Sequence, residues 1–388
     1  MAVANTFTGL IPTMYRAMQT VSRELTGAIA GVTLDARATG AAKDQTIRAP
    51  IAPAATLEAF TPAVTVPNTG AATYSYVDMT LSKSYVAPIP ISGEEELSLG
   101  DNYQEVMQQN FAQAFRAITN QIETDLCLEA ITNASRAYGT SGTTPFASSL
   151  ADAAQIKRIL DDNGAPGNND PNYRSLIINS AAGVNLRSLA NLMTASNNGS
   201  DQTLRSGFLL PVVGFGVRES NGIATHTKGT ATGLQSNGAF AVGDTTLAID
   251  GSDSGTLLAG DVFSFGTAET TTKYVLISTT ASGAAAGNIL IGKPGIRAAH
   301  ADNDEITLAA TYTGNFGFSR NALVLATRPP ARPMGGDAAT DVTLITDPVS
   351  GLTFSVARYN LYGLARYQVE LVWGYKAVQP EHIAILLG

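Results

Sequence analysis

The sequence predicts an α+β fold with an all-β module inserted into it, and three observations carry that prediction. Residues 101–136 hold an uninterrupted amphipathic pattern of helical period. Residues 150–215 alternate helix-like and strand-like segments. Residues 222–313 change texture, with short apolar runs separated by Gly, Ala, Thr, Ser and Asp. The chain has 388 residues, 44% hydrophobic and 14% charged, which describes a folded chain long enough for two or three domains.

Taken in order, the opening segment places Leu10, Ile11, Met14, Met18, Val21, Leu25 and Ile29 at spacings of three and four. That spacing predicts one amphipathic helix or two short ones, docked either on its own domain or on a neighbour. Residues 38–78 carry Pro50, Pro53, Pro62 and Pro67, no helical period and scattered apolar residues. Structureless connections of such length are uncommon inside compact domains. The β-branched residues, with Tyr74 and Tyr76, favour an extended two-stranded arm. A lone two-stranded ribbon is marginally stable, so this arm is expected to lie on something else.

The stretch YVAPIPIS (85–92) reads as a strand interrupted by prolines. In residues 101–136, Met107, Phe111, Phe115, Ile118, Ile122, Leu126 and Ala130 mark one face of a helix. Roughly 34 residues at 1.5 Å each make a rod about 50 Å long, a structural spine. LADAAQIKRILDDNG predicts a helix closing at Gly164, YRSLIINS a short buried strand, AAGVNLRSLANLM a second helix, and GFLLPVVGFGVRES a strand pair. The runs TTLAID, DVFSFG, KYVLIST, NILIGK and EITLAA predict a small all-β barrel. Helix is expected again near GNFGFSRNALVLATRP, and LARYQVELVWGYKAVQPEHIAILLG (364–388) reads as a closing β-hairpin.

The net charge of -8 argues against broad binding to a phosphate backbone, though not against a surface that faces nucleic acid without holding it. One cysteine, Cys127, leaves no disulfide framework within the chain. With no secretory pattern at the start and no run of about 20 apolar residues, the expectation is a soluble chain made in a reducing cytoplasm, with no membrane partner.

Candidate chemistry is sparse. His226, His300 and His382 lack any metal-ligand spacing, and His382 reads as a plain surface histidine. Gly287 to Pro294 satisfies the GxxxxGK skeleton of a phosphate loop, but Pro294 stands where Ser or Thr would bind magnesium, and the interior is an apolar strand. Glu94, Glu95 and Glu96 point in different directions on a helix, and with Asp161 and Asp162 they read as solvated charge. GSDSG (251–255) is not a nucleophile elbow. The expectation is a protein that is not an enzyme, with no cofactor, no metal and no small-molecule substrate.

Laid end to end, the elements resemble the major capsid proteins of tailed bacteriophages, the Hong Kong 97-like fold. YRSLIINSAAGVNLRSL looks like the strand and helix of the family's axial domain, GFLLPVVGFGVRESNGI like the strand pair after it, and LVWGYKAVQPEHIAIL like the family's ending. THTKGTATG (225–233), leading into the β module, is most similar to the short-tailed Salmonella-phage type, whose coat proteins carry an inserted β-barrel.

This resemblance implies an N-terminal arm at 1–37, an extended E-loop at 38–78 and a peripheral domain at 79–147 built on the 101–136 spine. It further implies an axial domain at 148–221 and 314–388, interrupted by the barrel at 222–313. It implies pentamers and hexamers that form an icosahedral head around double-stranded DNA, assembled in the host cytoplasm. The partners implied are the chain itself, a scaffolding protein, a portal and weakly contacted DNA. Contacts between subunits are expected from Leu10, Met14, Met18, Ile47, Arg48, Ile51, Leu57, Phe60, Val64 and Val66. The stretch LQSNGAFAVGDTT carries Asp244 as its one charge, which argues against salt bridges to an adjacent capsomer, and nothing assigns a Lys–Asn crosslink to Lys43. Alternatives are an encapsulin-like shell, a soluble α/β enzyme with a β-barrel appendage, and a β-rich adhesin.

Overall fold

The computed structural model describes residues 11–20, 25–37, 39–51, 62, 75–167, 170, 173–189, 192, 211–251, 255–267, 269–280, 287–348 and 350–388. The chain begins with α1 (Ile11–Thr20), β1 (Thr33–Ala36), β2 (Thr46–Ile51), β3 (Ser75–Thr80), β4 (Lys83–Ser92) and α2 (Gly93–Leu99). One 3-10 turn, Gly100–Asn102, then leads into α3 (Tyr103–Thr132). α3 is the expected spine, 30 residues long and so about 45 Å at 1.5 Å per residue. It stops short of residue 136 because Asn133 folds its side-chain N–H onto the Glu129 carbonyl at 3.1 Å, and the chain turns into β5 (Arg136–Gly139). The seven apolar residues read as its inner face are all buried. Burial of each larger one contributes about 1.5–3 kcal/mol.

α4 (Ala151–Asp162), β6 (Arg174–Ile178), α5 (Ser180–Ser188) and β7 (Gly216–Glu219) follow. Gly164 closes α4 in the left-handed region, φ 73°. Of the expected strand pair at 207–220, the described part holds β7 and one isolated bridge, Val212 to Phe215. β8 (Thr225–His226) leads to the insertion, β9 (Leu234–Ser236), β10 (Thr246–Gly251), β11 (Val262–Phe265), β12 (Lys273–Thr279), β13 (Gly287–Ile291) and β14 (Glu305–Leu308). The chain ends with β15 (Tyr312–Ser319), β16 (Leu323–Arg328), β17 (Ala339–Thr346), β18 (Thr353–Leu361), β19 (Leu364–Ala377) and β20 (Ile383–Leu387).

The strands of the insertion pair in the order β11-β14-β9-β10-β13-β12, and β12 returns to β11, so the barrel is closed. Closure removes the free edges that six short, Gly-bounded strands would otherwise expose. Its interior is an apolar core of its own, including Leu247, Phe263, Phe265, Tyr274 and Ile291. β12 also pairs with β5, which joins the barrel to the larger sheet.

A second sheet runs β1-β16-β19-β18-β17, with β4 on the other edge of β19. α3 packs on β19 and β4. Phe111 meets Tyr367 edge-on at 5.8 Å, and Phe115 lies 5.1 Å from Phe354. Pro88 and Pro90 fit because, among the described residues, β4 pairs on one side alone, so the missing N–H groups need cost no ladder bond.

Three expectations are corrected here. The stretch 364–388 is not a hairpin: β19 lies in the α3 sheet, while β20 lies between β15 and β5 in the other, with a 3-10 turn at Pro380–His382 between them. β20 is buried along its whole length and uniformly apolar, whereas β19 alternates apolar and polar residues from Ala365 to Leu371. The helix expected near 314–329 is the strand pair β15 and β16. The boundaries at 147 and 314 do not follow sheet membership, because residues 323–328 and 339–377 share a sheet with 83–92 while 136–139 belongs to the other.

Candidate assembly surface

β2 and β3 form a separate two-stranded sheet, with Thr46 opposite Thr80 and Ile51 opposite Ser75. At its root, Met79 and Leu81 are buried with Ala41, Ala326 and Val372, and Ile47 packs half-buried against them. The Leu81 N–H donates to the Gln45 carbonyl at 3.0 Å, and the Asp44 N–H to that of Leu81 at 2.9 Å. Outward from the root the burial fades: Tyr76 is 61% exposed, and Asp78 and Ser75 are exposed. Arg48 faces its register partner Asp78 at 3.1 Å and lies 5.5 Å from the Tyr76 ring centre. Among the described residues, the ribbon thus has an anchored base at Met79 and Leu81 and exposed residues, Ser75 and Tyr76, farther out.

The root depends on one glycine. A Cβ on Gly374 of β19 would stand 2.4 Å from the Thr80 carbonyl oxygen. Gly374 follows Trp373, whose indole N–H donates to Asp125 of α3 at 3.0 Å. Glu129, one turn further along α3, accepts from the Ala377 N–H at 3.0 Å. The single tryptophan therefore pins β19 to the spine at the place where the ribbon crosses it.

Of the residues expected to contact a neighbour, Ile47 and Arg48 sit on the ribbon as described, and Ile51 lies at the end of β2. Leu10, Leu57, Phe60, Val64 and Val66 lie outside the described residues. Met14 and Met18 are corrected: they are buried within this chain, in the core that α1 shares with α3. The apolar stripe of α1 finds its partner in α3, so these two side chains are not offered to a neighbour.

The segment after α1 is fastened by a residue that sequence reasoning missed. Glu123, 1% exposed on α3, accepts the Ala28 N–H at 2.7 Å, the Ile29 N–H at 3.0 Å and the Ser220 hydroxyl at 2.6 Å. Burial pushes its carboxyl above the usual range, and the hydrogen bonds from Ser220, Ala28 and Ile29 oppose that shift. Cys127 lies one turn on, its Sγ 3.7 Å from the Ser220 hydroxyl, and burial raises its thiol as well. The one signal in the sequence was a carboxylate beside the apolar stripe of a long helix.

The other titratable residues do structural work. His226 pairs with buried Asp261 at 2.9 Å, and His300, stacked on Phe265 at 3.8 Å, pairs with Asp304 at 2.7 Å. His382 is half-buried, not the plain surface residue expected, and burial lowers its pKa. Glu95 forms a capping box with Ser92, and Asp161 holds buried Arg174 at 2.6 Å, so neither is merely solvated charge. The GxxxxGK stretch is barrel strand β13, with Ile289 and Ile291 buried. Among the described residues, no group of three or more His, Cys, Asp or Glu is placed to hold a metal, and no helix is long and apolar enough to cross a membrane.

No protein-family profile matches the chain, and no curated protein does. Among solved structures, the chain is similar to the capsid structure of the cyanophage P-SCSP1u at 13% identity, covering 94% of this chain and 88% of that one, TM-score 0.48. It is similar to a chain from Mycobacterium phage Che8 at 12% identity, covering 89% and 85%, TM-score 0.46. It is also similar to the capsid of a native GTA particle at 9% identity, covering 95% and 93%, TM-score 0.46.

Proposed function

We propose that this chain is a shell-forming subunit of the Hong Kong 97-like type, the major capsid protein of a tailed bacteriophage. The observation that carries this reading is the β2–β3 ribbon, which has a root fixed to β19 and an exposed end. A two-stranded ribbon is marginally stable alone and gains stability by lying on another surface. A second copy of the chain supplies such a surface in a head-to-tail contact, and contacts of that kind close into rings. The order of arm, ribbon, spine helix, α/β segment, inserted barrel and returning strands supports the same reading, because it is the order that the sequence resemblance implies.

In this reading α3 and its sheet form the peripheral domain, and β6, β7, β15, β20, α4 and α5 the axial domain. Ile47, Arg48, Ile51, Leu57, Phe60, Val64 and Val66 contact the neighbouring subunit. Pentamers and hexamers tile an icosahedral head around double-stranded DNA, assembled in the bacterial cytoplasm with a scaffolding protein and a portal. The net charge of -8 suits a wall that encloses DNA without gripping it. The chain performs no catalysis and needs no cofactor.

Negative-stain electron microscopy of the purified chain, alone and co-expressed with its scaffold, tests this. Closed shells, tubes or rings of five and six are expected. A monodisperse monomer under both conditions contradicts it.

A further inference from the structure

A cleft of about 260 Å³ opens beside the seam where the barrel joins the body. The seam is short, since β12 and β5 pair Lys273 with Ala137 and Tyr274 with Arg136. Arg136 from β5, Arg158 from α4 and Lys273 from β12 line the cleft, against one carboxylate, Asp162. Three cations less one anion leave a formal excess of two positive charges, in a chain whose net charge is -8.

That excess is poorly compensated. Asp162 Oδ2 stands 4.0 Å from Arg136 Nη1 and 3.9 Å from Arg158 Nε, too far for a hydrogen bond to either. The Arg136 side chain is 8% exposed, and its Nε has no hydrogen-bond partner. Its Nη2 is committed to the Ile159 carbonyl and to Asn163 Oδ1 at 2.6 Å, which fixes the guanidinium plane and leaves Nη1 beside Asp162. Lys273 gives its ammonium to the Gly139 carbonyl and has no carboxylate partner among the described residues. Burial, and then the neighbouring Arg297, holds the Arg136 pKa below its usual value although Asp162, Tyr274 and Glu269 oppose the shift, and burial does the same to Lys273. Desolvated cations without full compensation are costly, and a bound anion removes that cost.

We propose that this cleft is a binding site for a small oxyanion of the phosphate type, and that the bound anion ties the barrel to the body across the seam. Arg136 and Arg158 lie on the body and Lys273 on the barrel, so a ligand between them bridges the two. Guanidinium groups match phosphate oxygens in fork geometry, and the lysine adds a point charge.

The test is calorimetric titration of the full-length, unassembled chain with inorganic phosphate at constant ionic strength, with chloride as control. A dinucleotide phosphodiester serves as second titrant. Saturable phosphate binding is expected, with a rise in Tm, and about tenfold weaker binding in Arg158→Gln and in Lys273→Met. Binding of phosphate alone assigns the site to the free dianion, and binding of both titrants to a phosphate group on a larger ligand. Absence of saturable binding, an equal effect of chloride, or unchanged affinity in the variants overturns the proposal. Arg158 is 72% exposed, so its substitution leaves the fold intact even if Lys273→Met does not fold.

Discussion

The Thr80 carbonyl oxygen occupies the space in which a Cβ on Gly374 would stand, at 2.4 Å from it. Thr80 closes β3 and Gly374 lies on β19 opposite Ala326, so this contact is where the ribbon meets the body. The obstacle is backbone, which cannot swing aside as a side-chain tip can. Gly374→Ala is therefore expected to destabilise the fold by about 1–3 kcal/mol. That exceeds the roughly 0.4–1 kcal/mol that a Gly-to-Ala change returns through the unfolded chain. Urea denaturation checks this, and an unchanged or higher midpoint contradicts it.

Trp373 and Asp125 are both buried, and their 3.0 Å hydrogen bond ties β19 to α3. Trp373→Phe keeps much of the ring burial but removes the donor, leaving Asp125 with Gln121 as its remaining partner. A loss of about 1–3 kcal/mol is expected, the cost of stripping a partner from a buried acceptor. Thermal unfolding followed by circular dichroism reads it, since the variant has no tryptophan to report by fluorescence.

Glu123 gives a pH signature with a definite sign. Burial raises its folded-state pKa above the ordinary 4.5, so the folded chain holds this proton more tightly than the unfolded chain does. Its contribution to stability is full below pH 4.5 and is lost as pH rises through the raised value. The stability of the wild type minus that of Glu123→Gln should therefore fall as pH climbs above 4.5 and be flat below it. Urea midpoints for both chains across that range settle it, and a difference that grows with pH contradicts it. The variant should also be weaker at every pH, because an amide offers one acceptor oxygen where the Ala28 and Ile29 N–H groups use two.

Arg48 separates stability from assembly. Its pair with Asp78 is exposed on both sides, 67% and 51%, so solvent screens it and it contributes about 0.5 kcal/mol or less. Arg48→Ala should leave the unfolding midpoint of the isolated chain nearly unchanged while raising the concentration at which particles form. Light scattering against chain concentration measures the second effect, and identical assembly curves would count against a role for Arg48.

The spine helix was legible from its unbroken period, Met107 to Ala130, and five of the six barrel strands from short apolar runs such as KYVLIST, while the three-residue β9 offered no run to read. The ribbon was legible in part, from prolines and β-branched residues without helical spacing. The ending was misread because VELVWGYKA and IAILL, joined by a Pro-Glu-His turn, suit a hairpin and a crossover between sheets equally well. Only pairing partners distant in sequence, Tyr85 for Leu371 and Phe316 for Ile385, decide between them. Glu123 and Gly374 were missed for a related reason. What each touches, Ala28 and Ser220 in one case and Thr80 in the other, is far away along the chain, and no local pattern announces it.

If the ribbon rooted at Thr80 and Gly374 docks on a second copy, the chain without residues 52–74, which join β2 to β3, should fold and fail to assemble. Ile51 and Ser75 are register partners, so residues 52–74 can be replaced by a short Gly-Asn turn. Light scattering and electron microscopy of both chains, with Trp373 fluorescence as the check on folding, make the comparison. The expected result is particles from the full chain and a folded monomer from the shortened one. Particles of the same size from both, at the same concentration, would contradict the assignment of the ribbon to assembly.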